Sequence, residues 1–315
     1  MKIGALSANL RGLPFEQAMD YFVSLGVQAV EYGGFSFEDH YTLPELLESA
    51  QTRKKFLRAI EERGLGISAL NTPFGNALHP VEELFQKHRH TIESVIELAS
   101  LLGVDRIVAF SGLPGDSNEA KRPYWMPFYS DDGVLEWQWK EKCIPYWEAM
   151  GRFAEKRGVK ICLEIMATNL VYNPPTLLRL RNEVGDVVGA NLDFSHLFWQ
   201  GIDPVRAIKA LGDAIHHTHF KDTKIDADNC ALKGVLDGTP DTDLLNRAWV
   251  FSLIGTGHGY SVWKDIVRTL KLVGYDYVLG IEHEDMSMSL KEGFSKAVQF
   301  MKDIIIEEKI DTKWF

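Results

Sequence analysis

Arg157-Gly158-Val159-Lys160-Ile161-Cys162-Leu163-Glu164 holds one unit of a repeating plan in eight residues. A helix predicted from about 135 to 156 closes on Arg157-Gly158, the apolar run near 159–165 reads as a strand, and a carboxylate stands at its end. Glycine commonly closes a helix because it accepts the left-handed backbone found there. The same order of helix, glycine and apolar strand recurs at Gly26, Gly64, Gly103 and Gly274. Before the quoted stretch, strands are expected at 2–7, 27–32, 65–71 and 105–111, with helices at 14–26, 44–63 and 81–102. After it, strands are expected near 188–193, 214–220 and 277–282, with helices near 174–183, 203–212, 261–273 and 289–307. Strand and helix in alternation predict parallel βαβ units. Eight of them predict a single α/β domain over 1–315, a closed (β/α)8 TIM barrel, with its active site at the C-terminal strand ends. No GxGxxG follows the first strand, which argues against a dinucleotide-binding sheet.

The 315 residues are 45% hydrophobic and 25% charged, an ordinary globular composition, and carry a formal net charge of −10. That acidic balance counts against a phosphate-backbone partner, so no nucleic acid is expected. Cys143, Cys162 and Cys230 show no close spacing, which predicts neither a disulfide framework nor a cysteine-rich zinc site. No signal peptide and no bilayer-length apolar run is seen, so the expected setting is cytoplasmic, without membrane association.

Four separate strand patterns, the fifth to the eighth, end in residues that bind metals: Glu164, Asp193, His219 and Glu282. A parallel barrel gathers its strand ends on one face, so residues distant in sequence meet there. Three carboxylates and one imidazole suit one divalent cation, Mn2+ first, with Mg2+, Co2+ or Zn2+ as substitutes. Such an ion polarises a carbonyl and acidifies the neighbouring C–H, and a carboxylate beside it takes the proton. Glu164 and Glu282 are the candidates for that acid–base work. Any one carboxylate at a strand end is equally well a helix cap; four at successive strand ends are the signal. His217 and His219 share one face of their strand, and both compete for the ligand position. His216 faces the other way and reads as structural.

The stretches AspPheSerHis (193–196), HisThrHisPheLysAsp (217–222), GlyThrGlyHisGlyTyrSerValTrp (255–263) and GlyTyrAspTyrValLeuGlyIleGluHisGlu (274–284) resemble the sugar isomerase/epimerase superfamily. These are the xylose isomerase-like TIM barrels, grouped with apurinic endonuclease family 2. The resemblance covers nearly the whole chain and is strongest from about 159 to 284. It implies Glu164, Asp193, His219 and Glu282 as metal ligands, the two glutamates doubling as the acid–base pair, and His196 as a contact to a substrate oxygen. The activity it implies is a divalent-metal-dependent sugar isomerase or epimerase acting on a ketose or related carbohydrate. The alternative is a lyase on the same scaffold, an inosose dehydratase or a 3-keto glycoside or carbon-glycoside deglycosidase subunit. A homo-oligomer is expected, with a small partner subunit if the chain is a deglycosidase. The endonuclease relatives hold three zinc ions with extra histidines on strands three and four, where this chain has Asn71 and Ser111. A barrel that only binds ligands is the remaining alternative, and metal analysis separates it.

Lys221, Asn71 and His79 are the further substrate-binding candidates, Lys221 with a rim ion pair to Asp222 as its alternative. Glu31, Asn76 and Ser111 lie at strand ends or in the loops that follow and read first as capping groups. Glu284 is a candidate hydrogen-bond partner of a ligand. The glycines around His258 read first as turn formers. Two long connections leave strand ends on the catalytic side, about 112–133 and 222–260. The first is aromatic, with Tyr124, Trp125, Phe128 and Tyr129, followed by Trp137 and Trp139. A lid or a subunit contact is one expectation for such loops, and self-packed insertions the other.

Overall fold

The computed structural model describes residues 1–37, 39–125 and 133–310. Phe128 and Tyr129 of the aromatic connection lie outside these. Eight parallel strands close into a barrel: β1 (Lys2–Leu6), β2 (Ala29–Tyr32), β3 (Gly66–Asn71), β4 (Arg106–Phe110), β5 (Lys160–Glu164), β6 (Val188–Asp193), β7 (Ile215–Phe220) and, after an excursion, β10 (Val278–Ile281). Each strand pairs with its sequence neighbours, and β1 closes the ring on β10, where Lys2 faces Val278 and Ala5 faces Ile281. This is the (β/α)8 barrel that the alternating pattern predicts. Gly26, Gly64, Gly103, Gly158 and Gly274 all take positive φ, between 68° and 94°, so each turns the chain from a helix end into the next strand.

The main apolar core lies between strands and helices, where Phe22, Phe56, Trp147, Phe220 and Trp263 are fully buried. A small separate cluster of Ala69, Val108 and Cys162 packs apart from it, one residue from each of three adjacent strands. Burial pushes the Cys162 thiol up to about 12, so it is an inert small hydrophobe. Among the described residues no helix is long and apolar enough to cross a membrane.

Three departures from the sequence reading have local causes. The helix expected over 44–63 is two, Leu43–Glu48 and Ala50–Glu61, because Ser49 takes an extended backbone and caps the second through Thr52 N–H. The helix near 135–156 contains a π-helical stretch, Gln138–Cys143, just before Pro145, which has no amide hydrogen to give the helix. The connection 222–260 is not structureless. It carries an antiparallel hairpin, β8 (Asp222–Ile225) with β9 (Trp249–Ser252), and a short helix, Ala227–Lys233. Of the aromatics near the first connection, Trp139 is core, 2% exposed, with the Arg179 guanidinium 4.4 Å over its ring.

Candidate functional site

Strand register carries the four ligand candidates to one level of the barrel. Glu164 pairs with Asn191, Asp193 with His219, and His219 with Gly280, two residues before Glu282. A register shift between Ala190 and Asn191 adjusts this part of the sheet, as bulges beside functional sites commonly do. One donor atom from each of Glu164, Asp193, His219 and Glu282 lies within 4.8 Å of every other. Glu164, Asp193 and His219 are buried, and the Glu282 side chain is 12% exposed.

The imidazole of His219 is oriented from both ends. Its Nε2 is 2.8 Å from Glu31 Oε2, while its Nδ1 faces Glu282 Oε2 at 3.2 Å and Glu164 Oε2 at 3.4 Å. Glu31 therefore holds a proton on Nε2, so that when an ion displaces the proton on Nδ1, that lone pair is the one free to bind it. Asn71 completes this support, its Nδ2 donating to Glu31 Oε1 at 2.6 Å. Asn191 Nδ2 donates to Glu164 Oε2 at 3.0 Å and lies 3.1 Å from His219 Nδ1, while its Oδ1 faces His217 Nδ1 at 3.1 Å. Glu31, His217 and His219 form a second group of close donors. The Glu31–His219 bond gives that group the character of a support for the first.

On the other side, Lys221 Nζ reaches Glu282 Oε2 and Glu284 Oε2 at 2.8 Å each and Asp193 Oδ2 at 3.1 Å. It does not pair with Asp222. His196, on the short helix Phe194–Trp199, places Nε2 3.3 Å from Glu164 Oε1 and 3.5 Å from Asp193 Oδ2. His79 stands elsewhere: its Nδ1 accepts from Val81 N–H, and it lines a separate cavity with Phe85 and Tyr146.

The electrostatics follow from burial among opposed charges. Burial disfavours ionised Glu282, yet Lys221 and His219 more than offset it and hold the carboxyl at about 2. Burial likewise works against ionised Glu164, and bonds to His196 and His219 keep it well below the usual carboxylate range. Burial alone would neutralise His219 and Lys221; the surrounding carboxylates instead raise both well above their ordinary values. Lys221 pulls Glu284 down, but burial and the neighbouring Glu282 prevail, and its carboxyl is raised.

The donor set fits a divalent ion. It is oxygen-rich with one nitrogen, buried and convergent. Asp193 Oδ1 accepts from Ser195 N–H, while the buried Oδ2 accepts no well-formed hydrogen bond although the Lys221 ammonium is near. An ion would supply what that oxygen lacks.

Asp222 does separate work. Its Oδ2 accepts from the N–H groups of Gly255, Gly257 and His258 at 2.9–3.1 Å, and Oδ1 from Thr223 N and His258 Nδ1. The glycine-rich turn thus wraps a buried carboxylate, and the His258 ring stacks on Phe198 at 3.7 Å rather than joining the cluster. Phe251 of β9 brings the hairpin onto the site: it meets His196 edge-on at 5.4 Å and lies 4.5 Å below the Lys221 ammonium. Sequence reasoning missed Asn191 and Phe251. Asn191 carried a signal, since two residues before Asp193 on a strand means the same face.

Comparison with known proteins agrees with this architecture. The family described as xylose isomerase-like TIM barrel matches residues 19–304. An uncharacterized protein of Bacillus subtilis, YfiH, is 41% identical over 315 residues, covering 97% of this chain and 99% of its own. Among solved structures, the IOLI protein with a bound zinc atom superposes with a TM-score of 0.69 at 18% identity, over 97% of this chain and 98% of its own. The Escherichia coli 3-keto-D-glucoside 4-epimerase YcjR gives 0.67 at 16% identity, over 96% and 99%. At such identities the structural likenesses establish the fold alone.

Proposed function

The chain belongs to the xylose isomerase-like TIM barrel family, and from that premise we propose a divalent-cation-dependent enzyme that removes a proton beside a carbonyl of a ketose or related carbohydrate. The observation that carries the proposal is the convergence of Glu164, Asp193, His219 and Glu282 within 4.8 Å. These four residues would hold the ion, Mn2+ being the first choice for such donors. When bound, it supplies Lewis-acid polarisation of the carbonyl.

The remaining steps belong to side chains. Glu164 and Glu282 are held ionised, the state in which a carboxylate accepts a proton. One takes the proton from carbon. The other must first gain a proton from solvent water; it then returns that proton, to the opposite face for epimerisation or to the neighbouring carbon for isomerisation, and the first carboxyl gives its own proton back to water. His196 and Lys221, in contact with those carboxylates, contact substrate oxygens and keep each glutamate oriented. Elimination is the second reading, favoured by an apolar cavity that opens at His196 and has room for a departing substituent.

The test is incubation with Mn2+ and a panel of ketoses, inososes and 3-keto glycosides in deuterated water. Deuterium at the carbon beside the carbonyl reports the shared first step, and the product separates epimerisation from elimination. Glu164→Gln and Glu282→Gln should each lose about 10²-fold or more in exchange rate, the usual worth of a positioned acid or base. Full exchange in both variants would remove the acid–base pair.

A further inference from the structure

His196 belongs to two places at once. Its Nε2 touches the carboxylate cluster, and its ring also lines a cavity of about 460 Å3, a size typical of small-molecule sites. The walls are aromatic. The Trp199 and Trp249 indoles stack in parallel, 4.8 Å apart with 5° between planes, and Phe251 adjoins Trp249 at 5.3 Å. Trp125 and Leu236 add further apolar surface.

The polar groups narrow the choice of occupant. The polar side chains lining the cavity are Thr168, His196 and Asp237. The Asp237 carboxylate already accepts from Thr239 N, Thr239 Oγ1 and Ala248 N. A second sugar ring would bring several hydroxyls, each needing an acceptor as well as a donor, and few acceptors are free here. A flat aromatic ring answers the stacked walls and asks for few acceptors. Thr168 adds an independent mark. It is the only non-glycine residue at positive φ among the described residues, 70°, a conformation that β-branched residues rarely adopt and that clusters at functional sites.

We propose that this cavity is a subsite for the aryl aglycone of a glycoside whose sugar ring lies at the carboxylate cluster. The inference rests on the carbohydrate reading above and narrows its substrate class to aryl glycosides and their keto derivatives.

Calorimetric titration of the Mn2+-loaded protein with 4-nitrophenyl β-D-glucoside and with methyl β-D-glucoside tests it. The aryl compound should bind about tenfold tighter, the worth of one good aromatic contact. Trp249→Ala should collapse that ratio. Leu236→Glu, at a position 61% exposed and therefore harmless to folding, should lower the ratio as well by charging the rim. A wild-type ratio under about twofold overturns the subsite, since that is less than a single stacked ring contributes. So does a ratio that survives both substitutions. Metal uptake with proton exchange on small ketoses, but no aryl preference, would sink the subsite and spare the carbohydrate reading. Aryl preference without metal uptake or exchange would do the reverse.

Discussion

Glu31→Gln replaces one oxygen with an NH2 group, yet it should disable the His219 ligand. Glu31 Oε1 accepts a 2.6 Å bond from Asn71 Nδ2, and Oε2 lies 2.8 Å from His219 Nε2. In the variant, as long as Asn71 keeps its Nδ2 toward residue 31, the amide oxygen stays on the Asn71 side, because two NH2 groups cannot share one bond. That sends the new NH2 toward Nε2, which then has to accept. The ring is neutral when it binds an ion, and it would then have to carry its one proton on Nδ1, the nitrogen that faces Glu164 and Glu282. A protonated Nδ1 has no lone pair for an ion. The alternative is to leave one buried N–H pair facing another, which costs about 1–3 kcal/mol for each unsatisfied group. Loss of a partner beyond the ligands commonly weakens metal binding about 10–100-fold, or about 1.4–2.8 kcal/mol. Calorimetric titration of metal-stripped protein with Mn2+ reads this directly. Asn71→Asp with Glu31→Gln offers the matching control, since a carboxylate at 71 can only accept, which turns the amide around and should recover part of the affinity. Unchanged Mn2+ affinity in Glu31→Gln, within about twofold, would refute the tautomer argument, because that lies well below the loss expected for such a partner.

Lys221→Met removes the cation shared by Asp193, Glu282 and Glu284 and should destabilise ion-free protein by about 3–5 kcal/mol. Mn2+ should then raise its melting temperature more than that of the wild type; equal increments would contradict the ion's proposed place among those carboxylates. Gly257→Ala would set a Cβ 2.1 Å from the Thr223 carbonyl oxygen, and overpacking against backbone predicts a loss of about 1–3 kcal/mol, read by urea melts. An unchanged midpoint would show that the turn around Asp222 yields easily. Burial holds His216 at about 3, against an unfolded value near 6.5. Its lowered value means that stability is fully present above pH 6.5 and is lost as pH falls from there toward 3. At pH 5 that loss is about 2 kcal/mol. His216→Gln should therefore lose about 2 kcal/mol less than wild type between pH 7.5 and pH 5, and an identical loss would show that His216 is not buried neutral.

The barrel was legible because its punctuation is chemical. Five glycines close helices in a backbone conformation that other residues resist, and each is followed by an apolar run. Glu164, Asp193, His219 and Glu282 stood out because parallel strands bring their ends to one rim, so order along the chain became position in space. What escaped the sequence depends on partners that strand order does not name. Glu31 ends a strand on the far side of the ring, and only closure of the barrel sets it 2.8 Å from His219, 188 residues away. The β8–β9 hairpin was unreadable because its strands are four residues each, too short for an alternation to emerge. His79 looked like a neighbour of the carboxylate cluster from its loop alone, and the chain turns it toward Val81 and a separate cavity instead.

Lys221 and Asp222 show how the hairpin and the cluster become one unit. Successive residues of an extended chain point to opposite sides, and this pair does so with opposite charges. Lys221 turns into the carboxylates, while Asp222 turns outward and gathers the backbone of 255–258. The Asp222–Ser252 pairing begins the hairpin that carries Phe251 onto His196 and Trp249 onto Trp199. The residue that anchors the aromatic wall is therefore covalently joined to the residue that neutralises the cluster. A shift of Asp222 cannot leave Lys221 in place, because a single peptide unit allows little independent travel. Loosening the glycine turn, as in Gly257→Ala, should consequently weaken both the orientation of Glu282, read as Mn2+ affinity, and the aromatic cavity, read as aryl preference; a change in only one would break the proposed link.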